Sequence, residues 1–250
     1  MIHSFLLIGQ SNMAGRGRLD EAIALITKNI VTLRNGRWQG LFRPINPDRP
    51  FSGTNLGESF ASCYAEKYGV TVGLICCADG GTSLNQWQPG GLLFDNAVYQ
   101  ARLAQRTSTI AGVLWHQGEA DCSPELYATY RQRFLPIMQA LRKELDLYDV
   151  PFLLGGLGDY LKDCKLSDNL KNYAHVNSAL MQIANEEEKT GFVSAAGLTS
   201  NPDYLHFNAA SLHEFGIRYF NEYEKQKDPN KQFFEKPEQD FAVRTAMEQL

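Results

Sequence analysis

Two regimes of apolar patterning alternate along the chain. In the first, nearly every position of a short run is apolar, at 5–9 (FLLIG), 70–78, 110–117, 150–158 and 192–198. Continuous runs of this length predict strands buried on both faces, as in a parallel sheet. In the second, apolar residues recur at helical spacing, over 56–67, 93–106, 124–145, roughly 169–188, and 209 to about 223. The stretch 124–145 has Ser123 placed as N-cap and Pro124 at its first position, so it predicts one long helix. An exception is "IVTLRNGRWQGL" at 30–41, where Asn35-Gly36 between alternating runs predicts a hairpin with a type I′ turn. A proline-rich loop follows at 43–53.

Strand–helix alternation of this kind predicts one α/β domain with a mostly parallel sheet covered on both faces. No internal repeat or shift of composition marks a second domain. The domain is therefore expected to span 1–224, followed by a polar C-terminal extension over 225–250.

Composition narrows the class of partner. With 44% apolar and 21% charged residues, the 250-residue chain has the make-up of a soluble globular protein. A formal charge of −4 and the lack of a Lys/Arg block argue against nucleic acid and against an anionic membrane surface. No apolar run approaches the ~20 residues of a membrane helix. The first apolar run has no basic segment before it and reads as a strand, not an export signal. Cys63, Cys76, Cys77, Cys122 and Cys164 are odd in number and lack framework spacing, so reduced thiols in a cytoplasmic protein are expected. No phosphate loop, G-x-G-x-x-G, H-E-x-x-H or C-x-x-C is present, so neither cofactor nor metal is expected.

Ligands of such sheets collect where loops leave the carboxyl ends of the strands. Those ends deliver Gly9-Gln10-Ser11-Asn12, then Asp79-Gly80-Gly81-Thr82, then His116-Gln117-Gly118-Glu119, and, a few residues past the last strand, Asp203-Tyr204-Leu205-His206. Together they supply a hydroxyl, flexible backbone N–H groups, an amide and an acid–imidazole pair. These are the parts of serine-based acyl transfer, with Ser11 as nucleophile.

The segments "GQSNMAGRG", "GG" at 80–81, "HQGEAD" and "DYLH" resemble, in order and spacing, the SGNH (GDSL-like) hydrolases. More narrowly they resemble the sialate O-acetylesterase-like branch, which includes the acetylxylan esterases of carbohydrate esterase family 6. The likeness runs from about residue 3 to 222. Gln10 stands where the broad superfamily has Asp, and Gln117 where it has Asn; both departures are those of the narrower branch. The resemblance implies a single-domain three-layer α/β/α sandwich, flavodoxin-like, and a metal-independent carbohydrate acetylesterase.

Residue roles follow from the resemblance and the local pattern together. Of five histidines, His206 alone has an aspartate three residues before it in a turn-like segment, "NPDYLHFN", and is the expected base, oriented by Asp203. His3, His175, His213 and His116 lie in strand or helix patterns; His116 is expected to pack. Glu119 is the alternative acid, or else a carboxylate holding its loop or the substrate. The oxyanion is expected to meet the N–H of Ser11, the N–H of Gly81 and the side-chain amide of Gln117. Gln10, Asn12, Arg16 and Trp87 are candidates for substrate binding, with sugar specificity expected from the loops at 43–55 and 82–92. The expected substrate is an acetylated xylan fragment or other oligosaccharide. The alternatives are a sialate O-acetylesterase and a non-catalytic carbohydrate-binding protein on an esterase fold.

Overall fold

Every residue of the first apolar run is buried, and it forms strand β1 (Ile2–Gly9) in the computed structural model, which describes residues 1–228 with 230, 231 and 233. A single helical turn, α1 (Ser11–Ala14), follows almost at once. The predicted hairpin is β2 (Ile30–Arg34) and β3 (Arg37–Gly40), paired antiparallel, with Asn35 at φ 51° and Gly36 at φ 76° as a type I′ turn demands. Helix α2 (Leu56–Tyr68) opens on a capping box made by Asn55 and Glu58. Then come β4 (Thr71–Cys76), α3 (Leu92–Ala104), β5 (Thr109–His116), α4 (Pro124–Tyr127) and α5 (Tyr130–Leu145). The chain continues through β6 (Phe152–Gly155), α6 (Tyr173–Glu186), β7 (Thr190–Val193) and α7 (Ala209–Gln226).

Among the described residues, seven strands form one sheet in the order β3-β2-β4-β1-β5-β6-β7, parallel except for the edge pair β2/β3. Without the hairpin, β4-β1-β5-β6-β7 is the flavodoxin-like 2-1-3-4-5 order. Helices α2 and α7 pack together on one face, and α3, α5 and α6 on the other. From β1, Phe5 meets Phe60 and Tyr64 of α2 edge-on at 4.7 and 4.9 Å, and Tyr223 of α7 at 5.6 Å. From β5, Trp115 meets Trp87 at 5.5 Å and Phe134 of α5 at 4.9 Å. Both faces of the central strands are thus filled, which is why their sequences read as unbroken apolar runs.

The chain builds outward from β1 to β4, then crosses back to β5, so β1 and β5 flank the switch point where ligands bind in such sheets. Gly9 closes that end of β1. At φ 138°, a Cβ there would lie 2.0 Å from the His116 carbonyl oxygen, which accepts the Gln10 N–H at 2.9 Å.

Three elements differ from the sequence expectation. The long helix 124–145 is two helices, interrupted at Ala128 and Thr129. Arg133 folds back beneath the break, donating to the Leu126 carbonyl at 2.7 Å and to Thr129 Oγ1 at 3.1 Å, while its other end pairs with Asp121 at 2.8 Å. The last strand stops at Val193, short of the expected 198, and the chain turns away through Gly197 at φ 74°. Helix α7 runs to Gln226, so the expected boundary at 225 falls inside it; most of the extension 225–250 lies outside the described residues. Of that extension, the Phe233 ring rests 4.3 Å from His3. Among the described residues no helix is long and apolar enough to cross a membrane, and no group of three or more His, Cys, Asp or Glu is arranged to hold a metal ion.

Candidate active site

Ser11 begins α1, and Gln10, not Ser11, occupies the N-cap position. The hydroxyl is therefore not spent on capping. Its Oγ lies 3.0 Å from Nε2 of His206. On the other side of that ring, Nδ1 stands 2.7 Å from Oδ2 of Asp203. Oδ1 of Asp203 accepts the backbone N–H groups of Leu205 and His206 at 2.9 and 3.0 Å. Tyr204, at φ 53°, turns the chain in the left-handed sense between the acid and the base.

Partial burial alone would raise the pKa of Asp203. The hydrogen bonds from the His206 ring and from the His206 and Leu205 backbones outweigh it and hold the carboxyl at about 2. An ionised carboxylate only accepts, so the Nδ1 proton belongs to the imidazole, and in the neutral ring Nε2 is the acceptor that faces the Ser11 hydroxyl.

These residues open on a cleft of about 470 Å³, lined by Gln10, Ser11, Gly81 and His206. Arg49 and Phe51 of the proline-rich loop line it as well, as do Leu166 and Asn169 from the segment before α6, with Glu119 and Cys122. The expected loop 43–55 therefore contributes. The expected loop 82–92 does not: Leu84 and Trp87 are buried, and the segments 119–123 and 166–170 line the cleft instead. Trp87 stacks edge-on against Trp115 and donates Nε1–H to Thr82 Oγ1 at 3.1 Å, which removes it from the sugar-binding candidates.

Gln117 also lies away from the cleft. It is fully buried, and its amide nitrogen donates to Asp121 Oδ2 at 2.6 Å and to the Thr82 carbonyl at 3.1 Å. Asp121 additionally accepts the Leu84 N–H at 2.9 Å, so this pair ties the loops after β4 and β5 together. Gln10 has the opposite arrangement. Its Oε1 accepts from the Gly118 and Ala120 N–H groups, both at 3.3 Å, and from Gln117 at 3.3 Å, and the residue lines the cleft.

Arg16 lines the cleft, yet its guanidinium is committed to Asp48 by two bonds of 2.9 and 2.7 Å, both side chains being about 95% buried. Asp48 carries no sequence signal of its role. It also accepts the Gly80 N–H at 2.9 Å and the Ser52 hydroxyl at 2.8 Å, fixing the turn that presents Gly81. Burial works to raise its pKa, and the Arg16 and Ser52 bonds reverse this and leave it below the ordinary carboxylate range.

Asn12 is buried and absent from the cleft lining; it bonds to Glu119 and to the loop carrying His206. Glu119 takes the Asn12 amide at 2.5 Å and His116 Nε2 at 3.3 Å, not the His206 ring. Burial pushes the Glu119 pKa upward, and the bonds from His116 and Asn12 bring it below the usual value. His116 is packed, its ring 5.6 Å from those of both Phe207 and Phe215.

A doubly wound sheet that brings Ser11, His206 and Asp203 together beside its switch point has the arrangement of the SGNH hydrolases. The family model for carbohydrate esterases described as sialic acid-specific acetylesterases matches residues 1–225, and the chain belongs to that family of carboxylic ester hydrolases. A protein of Arabidopsis thaliana named as a probable carbohydrate esterase is 26% identical over 245 residues, covering 85% of this chain and 86% of its own. The X-ray structure of that Arabidopsis protein superposes with a TM-score of 0.79 at 23% identity, over 90% of this chain and 99% of the other. The crystal structure of NanS gives a TM-score of 0.73 at 17% identity, over 90% and 97% of the two chains. A carbohydrate acetylesterase of Xanthomonas citri gives 0.66 at 18% identity, over 90% of this chain and 56% of that one.

Proposed function

We propose that this carbohydrate esterase removes O-acetyl groups from oligosaccharides, such as acetylated xylan fragments, by a Ser11–His206–Asp203 mechanism. The observation that carries this reading is the continuous chain from Ser11 Oγ through the imidazole to Asp203, at 3.0 and 2.7 Å, on the lining of the cleft. His206 Nε2 takes the hydroxyl proton as Ser11 Oγ attacks the acetyl carbonyl carbon. Asp203 holds the ring in the required tautomer and stabilises the imidazolium.

The tetrahedral oxyanion meets the N–H of Ser11, the N–H of Gly81 and the amide nitrogen of Gln10. Gln10 takes the place expected of Gln117, because both amide hydrogens of Gln117 are spent inside the protein. The Gly80 N–H is committed to Asp48, so Gly81 supplies the donor of that turn. Collapse of the intermediate breaks the bond to the sugar oxygen, which leaves with the proton from His206. Water then attacks the acetyl-serine, giving its proton to His206, and acetate departs as Ser11 regains its proton.

A second reading, O-acetylated sialic acid as substrate, is supported by the description of the matching family. Acetate release by the purified protein from acetylated xylo-oligosaccharides and from O-acetylated sialic acids, measured side by side, decides between them. A protein that binds these sugars but neither releases acetate nor reacts at Ser11 with a fluorophosphonate would instead be a binding protein on an esterase fold.

A further inference from the structure

Asn12 follows the nucleophile in the chain, yet it grips the backbone on both sides of the base. Its Oδ1 accepts the Phe207 N–H at 3.0 Å, and its Nδ2 donates to the Leu205 carbonyl at 3.1 Å. The second Nδ2 hydrogen goes to Glu119 Oε1 at 2.5 Å. The side chain is 1% exposed, so none of these bonds competes with solvent. One acceptor and two donors are all used, which fixes the amide in one orientation. A flip would set its NH₂ against the Phe207 N–H and its oxygen against both the Leu205 carbonyl and a carboxylate.

We propose that Asn12 is a positioning residue that holds the His206 imidazole against Ser11, and that Glu119 sets the direction of its amide. The proposal rests on the reading of Ser11 and His206 as nucleophile and base. The need for such a clamp follows from the loop itself. Asp203 and Tyr204 are exposed, and the base lies 195 residues from the serine in the chain. Asn201 holds the loop through the His206 carbonyl at 2.7 Å and the Arg16 carbonyl at 2.9 Å, and Phe207 is buried. Between the His206 ring and Ser11 itself, however, there is a single hydrogen bond, a weak constraint on ring placement. Because Asn12 stands in the same helical turn as Ser11, the base loop is referenced directly to the nucleophile. Misplacing a reacting group by about 1 Å costs on the order of 100-fold in rate.

The test is a double-mutant cycle read on acetate release. Asn12→Ala should lower kcat by roughly 10- to 100-fold with KM changed less than about threefold. In a His206→Ala background the same substitution should lower the residual rate by less than about threefold, since the imidazole it positions is gone. Asn12→Asp keeps the Phe207 acceptor and loses both donors; run through the same cycle, it replaces Asn12→Ala should that variant not fold. An equal loss in both backgrounds overturns the proposal, because it means Asn12 merely supports the serine turn. Wild-type kcat in both Asn12 variants overturns it as well. If His206→Ala alone is fully active, the nucleophile–base reading itself falls and the positioning role with it, an outcome distinct from the other two.

Discussion

His206 Nε2 stands 3.0 Å from Ser11 Oγ, although the two residues come from the end of β1 and from the approach to α7. On the proposed mechanism, the contact gives the hydroxyl a proton acceptor oriented by Asp203. Ser11→Ala and His206→Ala should each lower kcat by roughly 10³-fold or more, because either removes a member of one acting unit. Hydrolysis of p-nitrophenyl acetate by the purified variants is the measurement. Near-normal turnover by Ser11→Ala would end the nucleophile assignment. Fluorophosphonate labelling should fall in His206→Ala as well as in Ser11→Ala, since the probe needs the activated oxygen.

The parts legible in the sequence are those set by local pattern. Strands β1 and β5 are buried on both faces, so their apolar runs identify them without tertiary information. Asn35-Gly36 announces its turn because few residues adopt positive φ at two successive positions. Ser11, Asp203 and His206 stand out because a strand end and a turn each carry an unusual polar cluster. What the sequence hides is the direction in which a polar side chain points. Gln10 and Gln117 are chemically identical, and only the carboxylate of Asp121 and the N–H groups of Gly118 and Ala120 decide which amide nitrogen is consumed. Trp87 likewise sits beside a glycine pair in the sequence and inside the core in space. The role of Asp48 depends on a contact with Gly80 across 32 residues, which no spacing rule reveals.

The two glutamines should separate by phenotype. Gln10→Ala should lower kcat on the order of 10²-fold, as expected for one oxyanion donor, and should also cost some stability, because the Gly118 and Ala120 N–H groups lose their acceptor. Gln117→Ala takes a buried donor away from both Asp121 and the Thr82 carbonyl, with little direct effect on kcat, and should destabilise the fold by about 1–3 kcal/mol. Thermal melts and steady-state kinetics on both variants measure this. A stable Gln117→Ala with a 10²-fold kcat defect, beside an active Gln10→Ala, would return the donor role to Gln117.

Asp203 predicts both a kinetic and a pH signature. Asp203→Asn can no longer act as the anionic acceptor for the Nδ1 proton and should lower kcat by at least about 10²-fold, far more than Glu119→Gln. The reverse ranking would transfer the orienting role to Glu119. The carboxyl of Asp203 is held at about 2 in the folded chain, below its unfolded value of about 3.9. Its stabilisation is therefore complete above about pH 4 and is lost as pH falls from about 4 towards 2. With 45% of the side chain exposed, solvent screening limits the effect to less than about 1 kcal/mol. Urea unfolding should find Asp203→Asn slightly less stable than wild type at pH 6, with the gap closing near pH 2. A gap that widened on acidification would contradict the assigned shift.

Phe51 is an exposed aromatic side chain on the lining of the cleft. It is 68% exposed, while its ring lies 5.3 Å from the Arg16 guanidinium that Asp48 anchors. A large exposed ring on a cleft lining gains by covering an apolar face, and the face of a pyranose ring is such a surface. A stacking contact of about 0.5–1.5 kcal/mol corresponds to roughly a 2- to 13-fold change in affinity. Phe51→Ala should therefore raise KM for an acetylated oligosaccharide several-fold and leave kcat nearly unchanged, the pattern of lost uniform binding. Ethyl acetate, which has no ring to stack, should be hydrolysed equally well by wild type and variant. Equal KM values on the oligosaccharide would exclude Phe51 from the sugar site. A matching loss on ethyl acetate would show that Phe51 acts through the Arg16–Asp48 pair on the Gly80–Gly81 turn, because only that route reaches the acetyl group common to both substrates.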